Sequence, residues 1–283
     1  KKNADKAAEL KSFIQRFSAN ASKSRQASSR QKQLDKLDLG DMPVSSRKQP
    51  FVGFEPRREA GNDILSVDRL SFAAGGEQLL RNASFTLKKG DKVALVGRND
   101  VAKTALLDIL AGEIAPGSGS VAWGVTTSLS YFPSDNSRYF TGECATLVDW
   151  LRQYSDEKDE SFIRGFLGKM LFTRDEALKR PSVLSGGERV RCMLSKMMLS
   201  GANVLLLDGP TNHLDLESIA AVNDGLAKFK GTAIFATHDA EFMQTTANRI
   251  IEIDVGIVAD ERMAYDDFVD ARRAALASAA SKG

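Results

Sequence analysis

The apolar run Val93-Ala94-Leu95-Val96 stops at Gly97 and gives way, eight residues later, to a second apolar run with helical spacing. A short buried strand (Lys92–Val96), a tight loop and a helix (Thr104–Leu110) in that order commit this part of the chain to an α/β arrangement. The loop between them reads Gly97-Arg98-Asn99-Asp100-Val101-Ala102-Lys103-Thr104. It fits the phosphate-cradling pattern of glycine, four residues, glycine, lysine and serine or threonine everywhere except at Ala102. In such a setting the loop amides and the helix N-terminus face an anion. Lys103 then reaches the outer phosphates and Thr104 a magnesium ion, with Gly97, Asn99, Asp100, Ala102 and Ala105 framing the nucleotide. Taken alone, the stretch also fits an ordinary strand–turn–helix.

The rest of the body repeats the alternation. Ile64–Val67 and Ser84–Leu87 read as early strands, with Gly75-Gly76 as a turn between them. Residues 143–200 are mostly helical in pattern. Val204–Asp208 and Ala233–Thr237 are two further buried strands, separated by the amphipathic segment 215–229. This succession predicts a mainly parallel sheet.

Three later stretches resolve the ambiguity of the loop. Leu184-Ser185-Gly186-Gly187-Glu188 resembles the signature motif of ATP-binding-cassette (ABC) proteins. Val204 to Asp208 followed by Gly209-Pro210-Thr211-Asn212-His213-Leu214-Asp215 resembles a Walker B strand and D-loop. His238-Asp239, after the last strand, is similar to that family's switch histidine. Four motifs in family order make coincidence untenable. The resemblance implies an ABC-type P-loop NTPase domain, with a parallel core, an antiparallel β subdomain and a helical subdomain. It further implies ATP and Mg²⁺ as cofactors. Thr104 and Asp208 would hold the metal, His238 would stand at the terminal phosphate, and Ser185, Gly186, Gly187, Glu188 and Asp215 would serve a composite site with a second cassette.

Several positions depart from that pattern, and they concentrate on the nucleotide. Gly209 stands where the family has its catalytic glutamate, and removing a positioned base typically lowers a rate about 10²–10⁴-fold. Asp100 replaces a glycine and puts a carboxylate beside the phosphates. Ala102 is expected to push a methyl group into the phosphate path, with a φ unsuited to a non-glycine residue. The adenine-stacking aromatic falls at Ala74, which leaves Phe72 as a substitute. Ser134, in Tyr131-Phe132-Pro133-Ser134, occupies the expected glutamine. A degenerate site that binds ATP weakly and hydrolyses it poorly is the expectation.

Residues 1–38 form a helical arm, of which 5–38, free of Gly and Pro, read as one long helix with a heptad-like seam at Leu10, Phe13, Phe17, Asn20, Ser24, Ala27, Gln31 and Leu34. Residues 39–62, with Gly40, Pro43, Pro50, Pro56 and Gly61, read as a flexible linker. Residues 63–270 form the cassette, its helical subdomain spanning about 143–200, and 271–283 a tail. The first 58 residues hold 14 Lys/Arg against 6 Asp/Glu, whereas the remaining 225 hold 25 against 31. A basic arm on an acidic body favours a polyanionic partner, nucleic acid before membrane. Arg16, Lys23 and Arg30 share one helix face, which reads equally as a solvated face. The stretch from Phe13 to Ala27 resembles the arm of ABC-F proteins, closest to their YbiT-type branch. On that resemblance Arg16, Lys23, Arg25 and Arg30 become RNA contacts, and the partners are the ribosome, tRNA and a first cassette preceding Lys1. No apolar run approaches the roughly 20 residues of a membrane span. Two cysteines without metal-ligand spacing fit a reducing cytoplasm. The expected function is the second nucleotide-binding half of an ABC-F translation factor. A non-catalytic pseudo-ATPase scaffold and a transporter cassette are the alternatives.

Overall fold

Five short strands, buried almost end to end, form the centre of the described residues. The computed structural model describes residues 49–280. Its main sheet takes β3 (Lys92–Val96), β5 (Leu129–Phe132), β6 (Val204–Asp208), β7 (Thr232–Ala236), β8 (Arg249–Ile253) and β9 (Ile257–Glu261) in the order β5-β6-β7-β3-β8-β9. All pairs are parallel except β8 with β9. Runs such as Val204-Leu205-Leu206-Leu207 lack polar alternation because both sheet faces are covered. Register then aligns the strand ends: Ala236 pairs with Leu95 on one side and with Asp208 on the other. The chain therefore leaves three strands at one edge, just beyond Val96, Asp208 and Ala236.

A second sheet pairs β1 (Asp63–Ala74) with β2 (Glu77–Lys88) and β4 (Ser118–Trp123), all antiparallel, in the order β2-β1-β4. The β1–β2 hairpin turns at Gly75 and Gly76, whose φ values of +60° and +82° suit a two-residue hairpin turn. Both strands run well beyond the four residues each that apolar content predicts. Their outer face is solvated, so polar residues such as Ser66, Asp68 and Arg81 sit within the ladder.

Helices cover both faces. Helix α1 (Asp100–Ala111) buries Ala102, Ala105, Leu106 and Leu110 in the core shared with β1 and β2. On the other side, α2 (Leu147–Arg152), α3 (Glu160–Lys169) and α4 (Gly186–Ser200) form a second core, in which Phe140 stacks on Trp150 at 4.9 Å. Each begins at a side-chain cap, from Thr146, Asp159 and Ser185 respectively. Helix α5 (Leu216–Lys228) joins β6 to β7, and α6 (Ala240–Thr246) joins β7 to β8. Helix α7 (Tyr265–Ala280) continues past residue 271, where the sequence placed the start of a separate tail, and its first turn buries Phe268 in the core.

Residues 49–62 form no helix or strand, in keeping with their prolines and glycines, but they are no free linker. Val52 and Phe54 are buried, and the Phe54 ring meets Phe229 edge-on at 6.0 Å. Phe51 N donates to Lys169 O at 2.8 Å and Arg57 N to Gly201 O at 2.9 Å. Gly225 lies so close that a Cβ there would sit 2.6 Å from Val52 O. Two buried apolar side chains and the pinned amides of Phe51 and Arg57 outweigh what Gly and Pro signal locally. The seam helix and Arg16, Lys23, Arg25 and Arg30 lie outside the described residues.

Truncating Phe54 to Ala should lower the unfolding free energy by about 3–5 kcal/mol, the usual range for a core phenylalanine. Urea unfolding checks this, and a change within about 0.5 kcal/mol would restore the free-linker reading.

Candidate functional site

The loop after β3 is shaped by a close approach. Gly97 has φ +132°, and a Cβ there would overlap the Ile253 carbonyl of β8. Only glycine fits. Asn99 follows as the N-cap of α1, its carboxamide oxygen accepting from Ala102 N at 3.1 Å. The helix thus begins at Asp100, four residues earlier than the apolar spacing indicates.

That early start corrects the reading of Ala102. As the third residue of α1 it has ordinary helical geometry, and its side chain is completely buried in the core. Its methyl group lies away from the cleft, so the steric objection falls. Ala105 is likewise a core residue. The charge objection is sharpened instead. Lys103, 6% exposed, forms an ion pair with Asp100 Oδ1 at 2.7 Å and donates to Gly97 O at 3.0 Å. The second Asp100 oxygen lies 3.3 Å from His238 Nε2, at the end of β7. Hydrogen bonding from Lys103, with the charges of Lys103 and His238 behind it, holds the Asp100 carboxyl below the usual carboxylate range.

Beside this trio, Thr104 donates to Asp208 Oδ2 at 2.6 Å. Burial raises the Asp208 carboxyl above its ordinary value, and the nearby Asp108 and Asp100 add to the rise. A hydroxyl and a carboxylate in contact are the hard oxygen donors that magnesium takes, so these two residues fit the ion the sequence implies. Ser134 and Gly209 complete the walls with Asn212, Ala236 and Thr237, enclosing a polar cleft of about 150 Å³.

Asn212 and Thr237 escaped the sequence reading. Gly209-Pro210-Thr211-Asn212 is a tight turn, with proline in its second place and Asn212 N donating to Gly209 O at 3.0 Å. Gly209 itself has φ +64°, and a Cβ there would overlap the Asn212 carboxamide nitrogen. The glutamate position is therefore not merely empty. Its backbone is left-handed, and the end of the Asn212 side chain would have to swing aside for a Cβ. Thr237 stands 3.1 Å, hydroxyl to hydroxyl, from Thr211. The signal available was position alone: Thr237 directly follows β7, and Asn212 lies in the loop after the Walker B strand.

Other predicted residues lie elsewhere. Phe72 pairs with Leu80 in the antiparallel sheet and packs half-buried against the core, so it does not line the cleft. Ser185 to Glu188 form the N-terminus of α4, also outside the cleft. Ser185 and Glu188 make a reciprocal capping box. Burial works to raise the Glu188 carboxyl, but hydrogen bonds from Lys179 and Ser185 prevail and bring it to about 2. Gly187 packs so tightly that a Cβ would lie 2.9 Å from His213 O. Asp215 caps α5 through Ser218 N at 2.8 Å.

Two family models, both described as ABC transporter, match residues 80–212 and 1–54. The uncharacterized ABC transporter ATP-binding protein YkpA of Bacillus subtilis (strain 168) is 55% identical, over 95% of this chain and 50% of its own length. The probable ATP-binding protein YbiT of Escherichia coli O157:H7 is 41% identical over 93% of this chain and 49% of its own. ABC transporter F family member 5 of Arabidopsis thaliana is 30% identical over 92% and 38%. The chain spans about half the length of the curated relatives it matches, or less. A solved dimer of the cassette MJ0796, in a post-hydrolysis state bound to ADP and Pi, superposes with a TM-score of 0.59 at 17% identity. It covers 71% of this chain and 99% of that one, a likeness of fold.

Replacing Gly209 with Ala should destabilise the protein by about 1–3 kcal/mol, the range for a side chain forced into the left-handed region. Denaturant midpoints measure it. An unchanged midpoint would mean the turn relaxes freely.

Proposed function

From the premise that the chain carries an ABC-type ATP-binding cassette, we propose that it is the second nucleotide-binding half of an ABC-F ribosome-associated factor. Its own site binds ATP weakly and hydrolyses it poorly. The observation that carries the catalytic half of this reading is Gly209, left-handed and crowded by Asn212.

The cleft retains the means to hold phosphates and lacks the means to activate water. Lys103 presents a cation, and the α1 N-terminus its amide dipoles. Thr104 and Asp208 are placed to hold magnesium, which when bound neutralises phosphate oxygens. Deprotonating or orienting the attacking water is another matter. Gly209 has no side chain, and the neutral Asn212 carboxamide does not take up a proton. Asp100 faces the cleft, but its carboxyl is held low and engaged by Lys103. His238 is 78% exposed and turned to Asp100.

The ABC-F half of the reading is supported by the 30% identity to an F family member and by the extent of the match. The two family models together leave residues 55–79 between an N-terminal piece and a cassette, the order of an arm followed by a second cassette. A first cassette encoded upstream would find the signature residues Ser185 to Glu188 intact. The basic first 58 residues suit RNA phosphates of the ribosome or tRNA.

Phosphate release by the full chain at saturating Mg²⁺-ATP should fall about 10²–10⁴-fold below that of a cassette with its glutamate. Gly209→Glu alone should not restore it, because the backbone there is left-handed. Ordinary turnover would reveal another base. Replacing Arg16, Lys23 and Arg30 together with Gln should flatten the salt dependence of tRNA binding by about two to three units of log–log slope. An unchanged slope would make these charges a solvated face.

A further inference from the structure

The charged groups of the cleft are not waiting for a ligand. Lys103 is buried, and a buried ammonium without a partner is strongly unfavourable. Its three N–H donors are partly committed: one to Gly97 O at 3.0 Å and one to Asp100 Oδ1 at 2.7 Å. A single donor remains. The Asp100 carboxylate also spans the cleft, from the first residue of α1 to His238 just beyond β7 at 3.3 Å. The amide of Ala102 is taken by the Asn99 side chain.

We propose that Asp100 acts as a tethered stand-in for the outermost phosphate, so that the cleft selects nucleoside diphosphates over triphosphates. This rests on the reading of the cleft as a nucleotide site. Loop amides take the inner phosphates in this class of loop, and the lysine reaches the outer two. With Asp100 in place, Lys103 has one donor to give, enough for one outer phosphate oxygen. A diphosphate ends there. A triphosphate must place further negative charge where the carboxylate already lies between Lys103 and His238. It has to expel that carboxylate or accept like charges at about 4 Å. Asp100 is 61% exposed, so its replacement opens no cavity in the core. The residue is thus a specificity determinant for phosphate number, separate from the missing base at Gly209.

Titration calorimetry of the full chain with Mg²⁺-ADP and Mg²⁺-ATP, in wild type and in Asp100→Asn, tests this. The amide keeps the shape and removes the charge, and Asp100→Gly serves as a second variant if the first unfolds at a lower temperature. Wild type should bind ADP about tenfold or more tightly than ATP. Asp100→Asn should raise ATP affinity by about the same factor while ADP changes by less than about threefold. If both nucleotides gain equally, Asp100 only repels anions in general and the inference is overturned, although the nucleotide site stands. If neither nucleotide binds wild type or either variant, the nucleotide reading itself is wrong and the inference falls with it.

Discussion

The cleft depends on the register of three parallel strands. Ala236 lies level with Leu95 and with Asp208, so the chain leaves β3, β6 and β7 side by side. A slip of one residue in any of these strands would exchange its side chains between the two cores and carry its terminal polar group out of reach. Because both faces of the sheet are covered by separate apolar cores, such a slip is strongly disfavoured. The contact of Gly97 with Ile253 then fixes the loop against the fourth strand, β8. Lys103, Asp208 and His238 come from positions as much as 135 residues apart, and the sheet alone brings them together.

Given that frame, the polar groups at the edge satisfy one another. Lys103 pairs with Asp100, Thr104 with Asp208, Thr211 with Thr237, and Asn99 caps the helix. Such a loop is stable without an anion, because its buried cation is already neutralised. The same pairing opposes a ligand that must displace it. Gly209 adds a second, independent deficit: its turn is built for a residue without a side chain. Binding and chemistry are impaired by different residues, through charge in one case and backbone geometry in the other.

The strands and the four motifs were legible because short apolar runs ending at Gly or polar residues admit few other arrangements. Side-chain direction was not. Whether Ala102 faces the phosphates or the core depends on where α1 begins, and that is decided by the Asn99 cap rather than by apolar spacing. The anchoring of residues 49–62 was hidden for a similar reason: Val52 and Phe54 are two apolar residues among breakers, and what they meet comes from Phe229 and from Met198, whose sulfur accepts from Gly53 N. Phe72 shared a strand with the expected stacking position, but the ladder directs it to the core. Asn212 carried no signal as a neighbour of Gly209 until the turn between them was seen.

The Asp100–Lys103 ion pair can be observed without any nucleotide. The ¹³C resonance of the Asp100 carboxyl, assigned by its loss in Asp100→Asn, titrates with pH in the full chain. The pair predicts a midpoint below the ordinary aspartate range, since the folded state favours the charged form, and a rise towards that range in Lys103→Gln. A midpoint already within the ordinary range, and unmoved by Lys103→Gln, would contradict it.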